Sequence, residues 1–420
     1  MDIFFLCYHP SSCLKSFFSH KKGDIFTDMA SFADCGFRVE TQRFGPFTFR
    51  VGVDSHVVET ALLRANDAHE RFSESPLSQV ANQFEREVIA SRVFGTNSIE
   101  GGTLSEEETS ELLETDPLLI KEIEQRRVVN IKAAYDIAQQ VNPNANWRLT
   151  IEYICKIHAA ITRDLPGEYN QPGIFRDNPK NIITRVGNAT RGGEYKPPQY
   201  GGDVKLLMES LVAWHAQLAD AGIPALIRAP LVHLYFEFIH PFWDGNGRVG
   251  RVLEATILKT AGFRYAPFAL ARYYLEEIDQ YFALFNACRK AAAKDQAAPN
   301  NPFVMFHLEA MRIVIGRLHR RVNRLVNVLL FETQVKRLFD HREINARQYT
   351  ILTHLLALGP VGVDDLKKSP WYESLYLKRN EKTKQRDMRK LRDMGLVTMG
   401  GKNKIWPGFM QPNDDKEAAR

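Results

Sequence analysis

Cysteine is scarce. Cys7, Cys13, Cys35, Cys155 and Cys288 are five in 420 residues, an odd and scattered set with no pair at metal-ligand spacing. A reducing, cytoplasmic location is therefore favoured over a secreted disulfide framework. No apolar run reaches the roughly 18 residues that a membrane span requires, so no membrane partner is expected. The apolar start, Phe4-Phe5-Leu6, is broken at once by Tyr8, His9 and Pro10 and has no basic leader, unlike a signal peptide. Internal repeats and low-complexity tracts are absent. Excess charge of one sign is also missing: 55 Lys and Arg face 50 Asp and Glu, and a net +5 does not by itself mark a nucleic-acid binder.

What remains is an ordinary soluble composition, 44% hydrophobic and 25% charged, long enough for two or three domains. One stretch stands out, Phe238-Ile239-His240-Pro241-Phe242-Trp243-Asp244-Gly245-Asn246-Gly247-Arg248-Val249-Gly250-Arg251. Before it, Leu231 to Ile239 reads as a buried helix. After it, Arg248 to Ala261 is helical in pattern, with Gly262 placed to cap the end. A glycine-rich turn feeding a helix N-terminus aims several backbone N–H groups at one point, which makes an anion seat. Arg248 and Arg251 share a helix face just beyond it. Asp244 is a hard oxygen ligand suited to Mg²⁺ shared with phosphates. His240 stands at the loop entrance, where a general base would be placed. A calcium loop would need more oxygen ligands than Phe242, Trp243 and Arg248 leave room for.

Around this stretch the pattern is mostly helical. Residues 1–35 read as a poorly ordered lead, with Met29 an alternative start. Phe37 to Val53 alternates and suggests a short strand. Helices are expected over His56–Phe72, from Ser78 onward with Val80, Phe84, Val88 and Ile89 on one face, after Ser105-Glu106-Glu107-Glu108 in capping-box form, and over Val128–Val141. Thr150 caps another, reaching about Leu165. The insert from Pro166 to Gly202 is rich in glycine and proline. Its β-prone Asn181–Val186 run suggests a hairpin, and loops this long are usually functional. Helices resume over Val204–Leu218, Ala229–Ile239, Leu275–Ala292 and Phe303–Phe339. The C-terminal part carries helices over Arg347–Leu358, Asp364–Lys368 and Thr383–Met394, then a hairpin from Leu396 to Trp406. Three helices and a hairpin compose a winged helix-turn-helix.

The central loop fits His-x-Phe-x-Asp/Glu-Gly-Asn-Gly-Arg-x-x-Arg without a departure, and so resembles the signature of the Fic family of nucleotidyl transferases. The resemblance runs from about Val80 to Leu284. It includes Leu149-Thr150, Ile157-His158, Pro166-Gly167, Gly173-x-x-Arg176, Tyr195-x-Pro197-Pro198 and Trp214 in order. It implies an all-α fold with a β-hairpin flap, and transfer of AMP from ATP to a hydroxyl of a target protein and of the enzyme itself. His240 would take the proton from a Tyr, Ser or Thr. Asp244 would hold Mg²⁺. The backbone of Gly245 to Gly247, with the Asn246 side chain, would cradle the α-phosphate. Arg248 and Arg251 would hold the β- and γ-phosphates. The flap, within Asn181 to Tyr195, would pair with the target by strand addition. Tyr281-Phe282 stands where relatives often carry adenine-facing aromatics, although aromatics at helical spacing are usually core.

Thr96-x-x-x-Glu100-Gly101 also resembles an inhibitory motif of one class of Fic proteins, in which the glutamate pairs with the second loop arginine, here Arg251. In some relatives the same glutamate activates water to remove AMP, and the sequence leaves both directions open. The implied organisation is 1–35 lead, 36–145 inhibitory region, 146–322 catalytic domain, 323–410 winged helix and 411–420 tail. A homodimer is compatible with it. For the winged helix, DNA docking through residues 383–406 and a protein-interaction role both stay open. Transfer of UMP, phosphate or phosphocholine is the remaining alternative chemistry.

Overall fold

The structure is a computed structural model that describes residues 36–74, 85–116, 119–142, 147–167, 171–178, 180, 182–188, 193–401 and 403–410. The expected lead 1–35, the tail 411–420 and the first part of the helix expected from Ser78, with Val80 and Phe84, lie outside the described residues. The chain divides into two compact units, the second beginning at Arg317.

The first unit opens with a hairpin, β1 (Gly36–Glu40) against antiparallel β2 (Pro46–Arg50), where the sequence suggested one strand. The buried Asp203 carboxylate closes its turn by accepting the N–H groups of Gln42, Arg43 and Phe44 at 2.8, 3.0 and 2.9 Å. Then come α1 (Ser55–Glu74), α2 (Glu85–Ile99) and α3 (Glu106–Leu112). Ser105 and Glu108 form the capping box that their spacing suggested. The unit continues with α4 (Ile123–Gln140) and α5 (Ile151–Ile161), the latter capped by Thr150, whose hydroxyl accepts the Tyr153 N–H.

The flap hairpin pairs β3 (Val186–Asn188) with β4 (Gly193–Tyr195), a few residues later than the β-prone run predicts. Side chains divert that run from a ladder. Asn178 Oδ1 accepts the Ile182 N–H at 2.8 Å, and Gln199 Oε1 accepts the Thr184 N–H at 2.7 Å.

Next are α6 (Gly201–Asp220), α7 (Ala225–Ile239), α8 (Asn246–Thr260), α9 (Ala266–Glu276) and α10 (Ile278–Ala293). The sequence reading missed α9, which starts with Pro267 in its first turn, where the lost N–H does no harm. α7 and α8 pack on each other at the centre. α6 flanks α7, and α4, α5 and α9 surround α8. Both central helices are buried on almost every side, so they must be apolar all round except where a polar group has a partner.

α11 (Asn301–Asp340) leads from the first unit into the second. The second unit adds α12 (Ala346–Leu358), β5 (Val361–Gly362), α13 (Val363–Lys368), α14 (Pro370–Leu375), α15 (Glu381–Asp393), β6 (Val397–Gly400) and β7 (Lys404–Pro407). Its antiparallel sheet has the order β5-β7-β6. Leu352, Leu366, Leu391 and Ile405 are among its core. α14 and the short β5 were not read from the sequence. Among the described residues no helix is long and apolar enough to cross a membrane. The fold is helical with a few short strands, as expected.

Candidate active site

The end of α7 and the start of α8 build the site. α7 stops at His240, which takes the left-handed conformation (φ 50, ψ 62) while its N–H still bonds the Phe236 carbonyl at 2.8 Å. A side chain rarely sits there unless its surroundings impose it. Arg176 does so: its Nε donates to the His240 carbonyl at 2.8 Å and its main-chain N–H to Pro241 O at 2.9 Å. Its Nη2 also donates to Pro198 O, at the base of the flap. Burial lowers the Arg176 pKa to about 10, which leaves it charged at neutral pH. The His240 ring is largely buried, with Nδ1 3.4 Å from Glu237 Oε2.

The loop is braced from beneath. The Phe242 ring stacks on His158 at 3.6 Å and 4°. His158 Nδ1 accepts the Gly173 N–H at 2.9 Å, so its Nε2–H donates to Asp244 O at 3.1 Å. Burial lowers the His158 pKa to about 4, consistent with that neutral tautomer. Asn246 differs from expectation. Its side chain is buried, with Oδ1 accepting the Phe242 N–H at 2.9 Å and Nδ2 donating to Phe242 O at 2.8 Å. It clamps the loop instead of facing a phosphate, because a buried amide leaving both Phe242 groups unpaired would be costly.

Gly245 stands at the N-cap of α8 with φ 82, and no side chain caps this helix. A left-handed N-cap suits glycine, and an uncapped first turn leaves backbone donors aimed outward. Asp244, half exposed, bonds Arg248 Nη2 through Oδ2 at 2.7 Å and accepts the Gly245 N–H through Oδ1. Burial opposes its charge, but Arg248 and the Gly245 N–H outweigh it, and the carboxyl stays below its ordinary value.

Glu100, just past the end of α2, reaches this seat. Its Oε1 accepts from Arg251 Nη2 at 2.6 Å, and a Cβ placed on Gly247 would come within 2.3 Å of the same oxygen. A side chain at 247 would push the carboxylate from this position. Arg251 Nη2 also donates to Thr96 O and Nη1 to Tyr281 OH, each at 3.3 Å. Burial works against the Arg251 charge, and the Glu100 carboxylate more than offsets this, so its pKa is raised. The Thr96 hydroxyl lies 2.9 Å from Tyr135 OH, which ties the start of this motif to α4.

The structure thus brings His240, Asp244, Gly245, Asn246, Gly247, Arg248, Arg251 and Glu100 to one place. Tyr281 is buried with its hydroxyl on Arg251, not on an open nucleobase surface. The resemblance singled out His158 and Arg176 without a role, and both prove to brace the loop. Chemically, the site offers an anion seat, two guanidinium groups, one accessible carboxylate and an imidazole. Asp244 is suited to a divalent cation: it is a half-exposed hard carboxylate beside the seat. Among the described residues no group of three or more His, Cys, Asp or Glu could hold a metal ion by itself.

Two curated relatives are similar to this chain, both called protein adenylyltransferase Fic. The one from Aedes aegypti is 26% identical over 216 residues, 51% of this chain and 40% of the relative. The one from Drosophila ananassae is 27% identical over 190 residues, 44% and 35% respectively. The chain spans about two fifths of the length of these relatives. In fold, it is similar to a Fic family protein from Desulfovibrio desulfuricans, with a TM-score of 0.51 and 18% identity over 84% of this chain and 97% of the other. It is also similar to Fic-1 from C. elegans, with a TM-score of 0.50 and 22% identity over 63% and 72%. A model of the Fic/DOC family matches residues 148–258, a span that holds α5, the flap, the loop and most of α8.

Proposed function

We propose that this protein is a nucleotidyltransferase that moves AMP from ATP to a hydroxyl of a target protein, and that Glu100 holds it in check. The observation that carries the reading is the 2.6 Å pair of Glu100 and Arg251 over Gly247. Phosphoryl-type transfer asks a protein mainly for positioning and charge stabilisation. The first-turn amides of α8 would receive the α-phosphate, while Arg248 and Arg251 hold the phosphates beyond it. His240 would accept the proton of the attacking hydroxyl. Asp244 would hold Mg²⁺, which neutralises phosphate charge when bound. The target segment would lie along the flap, Asn181 to Tyr195, with main-chain bonds fixing register.

Glu100 needs no special affinity to inhibit. It only has to compete with a phosphate for one guanidinium, whose planar fork suits either partner. Wild type and Glu100→Gly, incubated with α-labelled ATP and magnesium and followed by intact mass, test this. Glu100→Gly should gain more of an AMP increment on itself than wild type does, and His240→Ala should lose transfer by on the order of 10²–10⁴ in either background. Equal labelling of wild type and Glu100→Gly removes the inhibitory role. An increment other than AMP, or AMP removal dependent on Glu100, would redirect the chemistry.

For the second unit we propose a winged-helix arrangement. α15 exposes Lys382, Arg386, Arg389 and Arg392, a basic face that favours phosphate-backbone contact as a second activity. A salt-sensitive gel shift of the full chain with duplex DNA supports that reading, and no shift at low salt leaves the face a solvated one.

A further inference from the structure

Arg251 makes its hydrogen bonds in two directions. Thr96 O and Glu100 Oε1 both belong to the α2 end, and both are met by Nη2. Tyr281 OH belongs to α10 and is met by Nη1. Nε is buried with no hydrogen-bond partner among the described residues. Nε and Nη2 share one edge of the guanidinium fork, the edge a phosphate would take side-on once the glutamate leaves. Nη1 would stay where it is. Tyr281 is thus the holder of Arg251 that does not depart with the inhibitory segment.

The tyrosine is itself aimed. Its hydroxyl lies 3.1 Å from His233 Nε2, and His233 Nδ1 lies 3.1 Å from Glu254 Oε2. The other oxygen of Glu254 accepts from Tyr274 OH at 2.9 Å and lies 2.8 Å from His307 Nδ1. With His233 neutral, the donor and acceptor roles follow in one order. Arg251 has nothing but donors, so Tyr281 accepts from it and gives its own proton to His233 Nε2. His233 then carries its proton on Nδ1 and donates it to Glu254. Burial raises the Tyr281 pKa well above the ordinary phenol value, which keeps that hydroxyl proton in place. Burial opposes the Glu254 charge, but His233 and His307 overcome it and the carboxyl pKa is lowered, which supplies the acceptor at the end of the chain.

We infer that Tyr281, aimed by His233 and Glu254, is the positioning residue that keeps Arg251 in place for the outer phosphates of ATP when Glu100 is gone. This rests on the function proposed above and adds a residue to it. A guanidinium released from one side would otherwise lose its orientation together with its inhibitor. The preformed hold on Nη1 lets one partner replace another without that loss.

The test compares ATP and AMP binding by calorimetry, with magnesium, in Glu100→Gly and in Glu100→Gly carrying Tyr281→Phe. AMP lacks the phosphates that Arg251 would meet, so a merely structural defect weakens both nucleotides alike. The expected result is about a tenfold loss for ATP, the scale of a hydrogen bond to a charged group, with AMP unchanged. His233→Gln, which leaves the hydroxyl present but less well aimed, should give a smaller loss in the same direction. It also serves if Tyr281→Phe lowers the melting temperature too far. Equal loss for both nucleotides, or an unchanged ATP-to-AMP ratio in both variants, overturns the inference. Failure of Glu100→Gly itself to bind ATP overturns the parent reading, and this one with it.

Discussion

α8 and α12 begin in opposite ways. α12 opens with Asn345, whose side chain accepts the Gln348 N–H while the Gln348 side chain accepts the Asn345 N–H, a closed capping box. The same asparagine donates to Asp387, which also receives Arg347, Gln348 and Tyr376. α8 opens with a left-handed glycine and no side-chain cap. Asn246, the residue that could have capped it, turns back to clamp Phe242. A helix start that only has to be stable satisfies its own amides. One left without a side-chain cap keeps its amides available, as the proposed phosphate seat requires, and here Glu100 hovers over it.

The sharpest way to break this contrast is to fill the open end. Gly247→Ala in the Glu100→Gly background should reduce AMP transfer by on the order of 10²–10³, the scale of losing preorganised donors to a transition-state charge. Radiolabel transfer would read this, and unchanged activity would mean that the phosphate does not use the start of α8. Removing the clamp comes next. Asn246→Ala strands two buried main-chain groups of Phe242 and should cost about 2 kcal/mol of unfolding free energy, seen as a lower denaturant midpoint. A midpoint within error of wild type would mean that the loop holds its shape without the amide. Closing the series, Asn345→Ala should cost about 1 kcal/mol in the second unit and leave transfer untouched. An effect on transfer would show that the capped helix start also serves the reaction.

Legibility in the sequence followed distance along the chain. The loop was readable because imidazole, carboxylate, glycines and arginines lie in one contiguous run. The Ser105 box was readable because its partners are three apart, and the Asn345 box has the same spacing yet was passed over. Glu100 and Arg251 are 151 residues apart, and nothing local pairs them; only the resemblance to a family did so. Tyr281, His233 and Glu254 sit on three helices at positions that look like core, so the bond order joining them exists only in three dimensions. The flap began late because Asn178 and Gln199 took backbone groups that β-propensity assigned to a neighbouring strand.

The Glu100–Arg251 pair is lopsided: the guanidinium side chain is 2% exposed and the carboxylate 35%. Water already touches one half and is shut out from the other. If Glu100 inhibits as proposed, the acid is the half that solvent can reach, on a short tether where Gly101 adopts φ +83. A regulator of the proposed switch would not have to pry apart the helical body; it would only have to tug on an accessible latch at its rim.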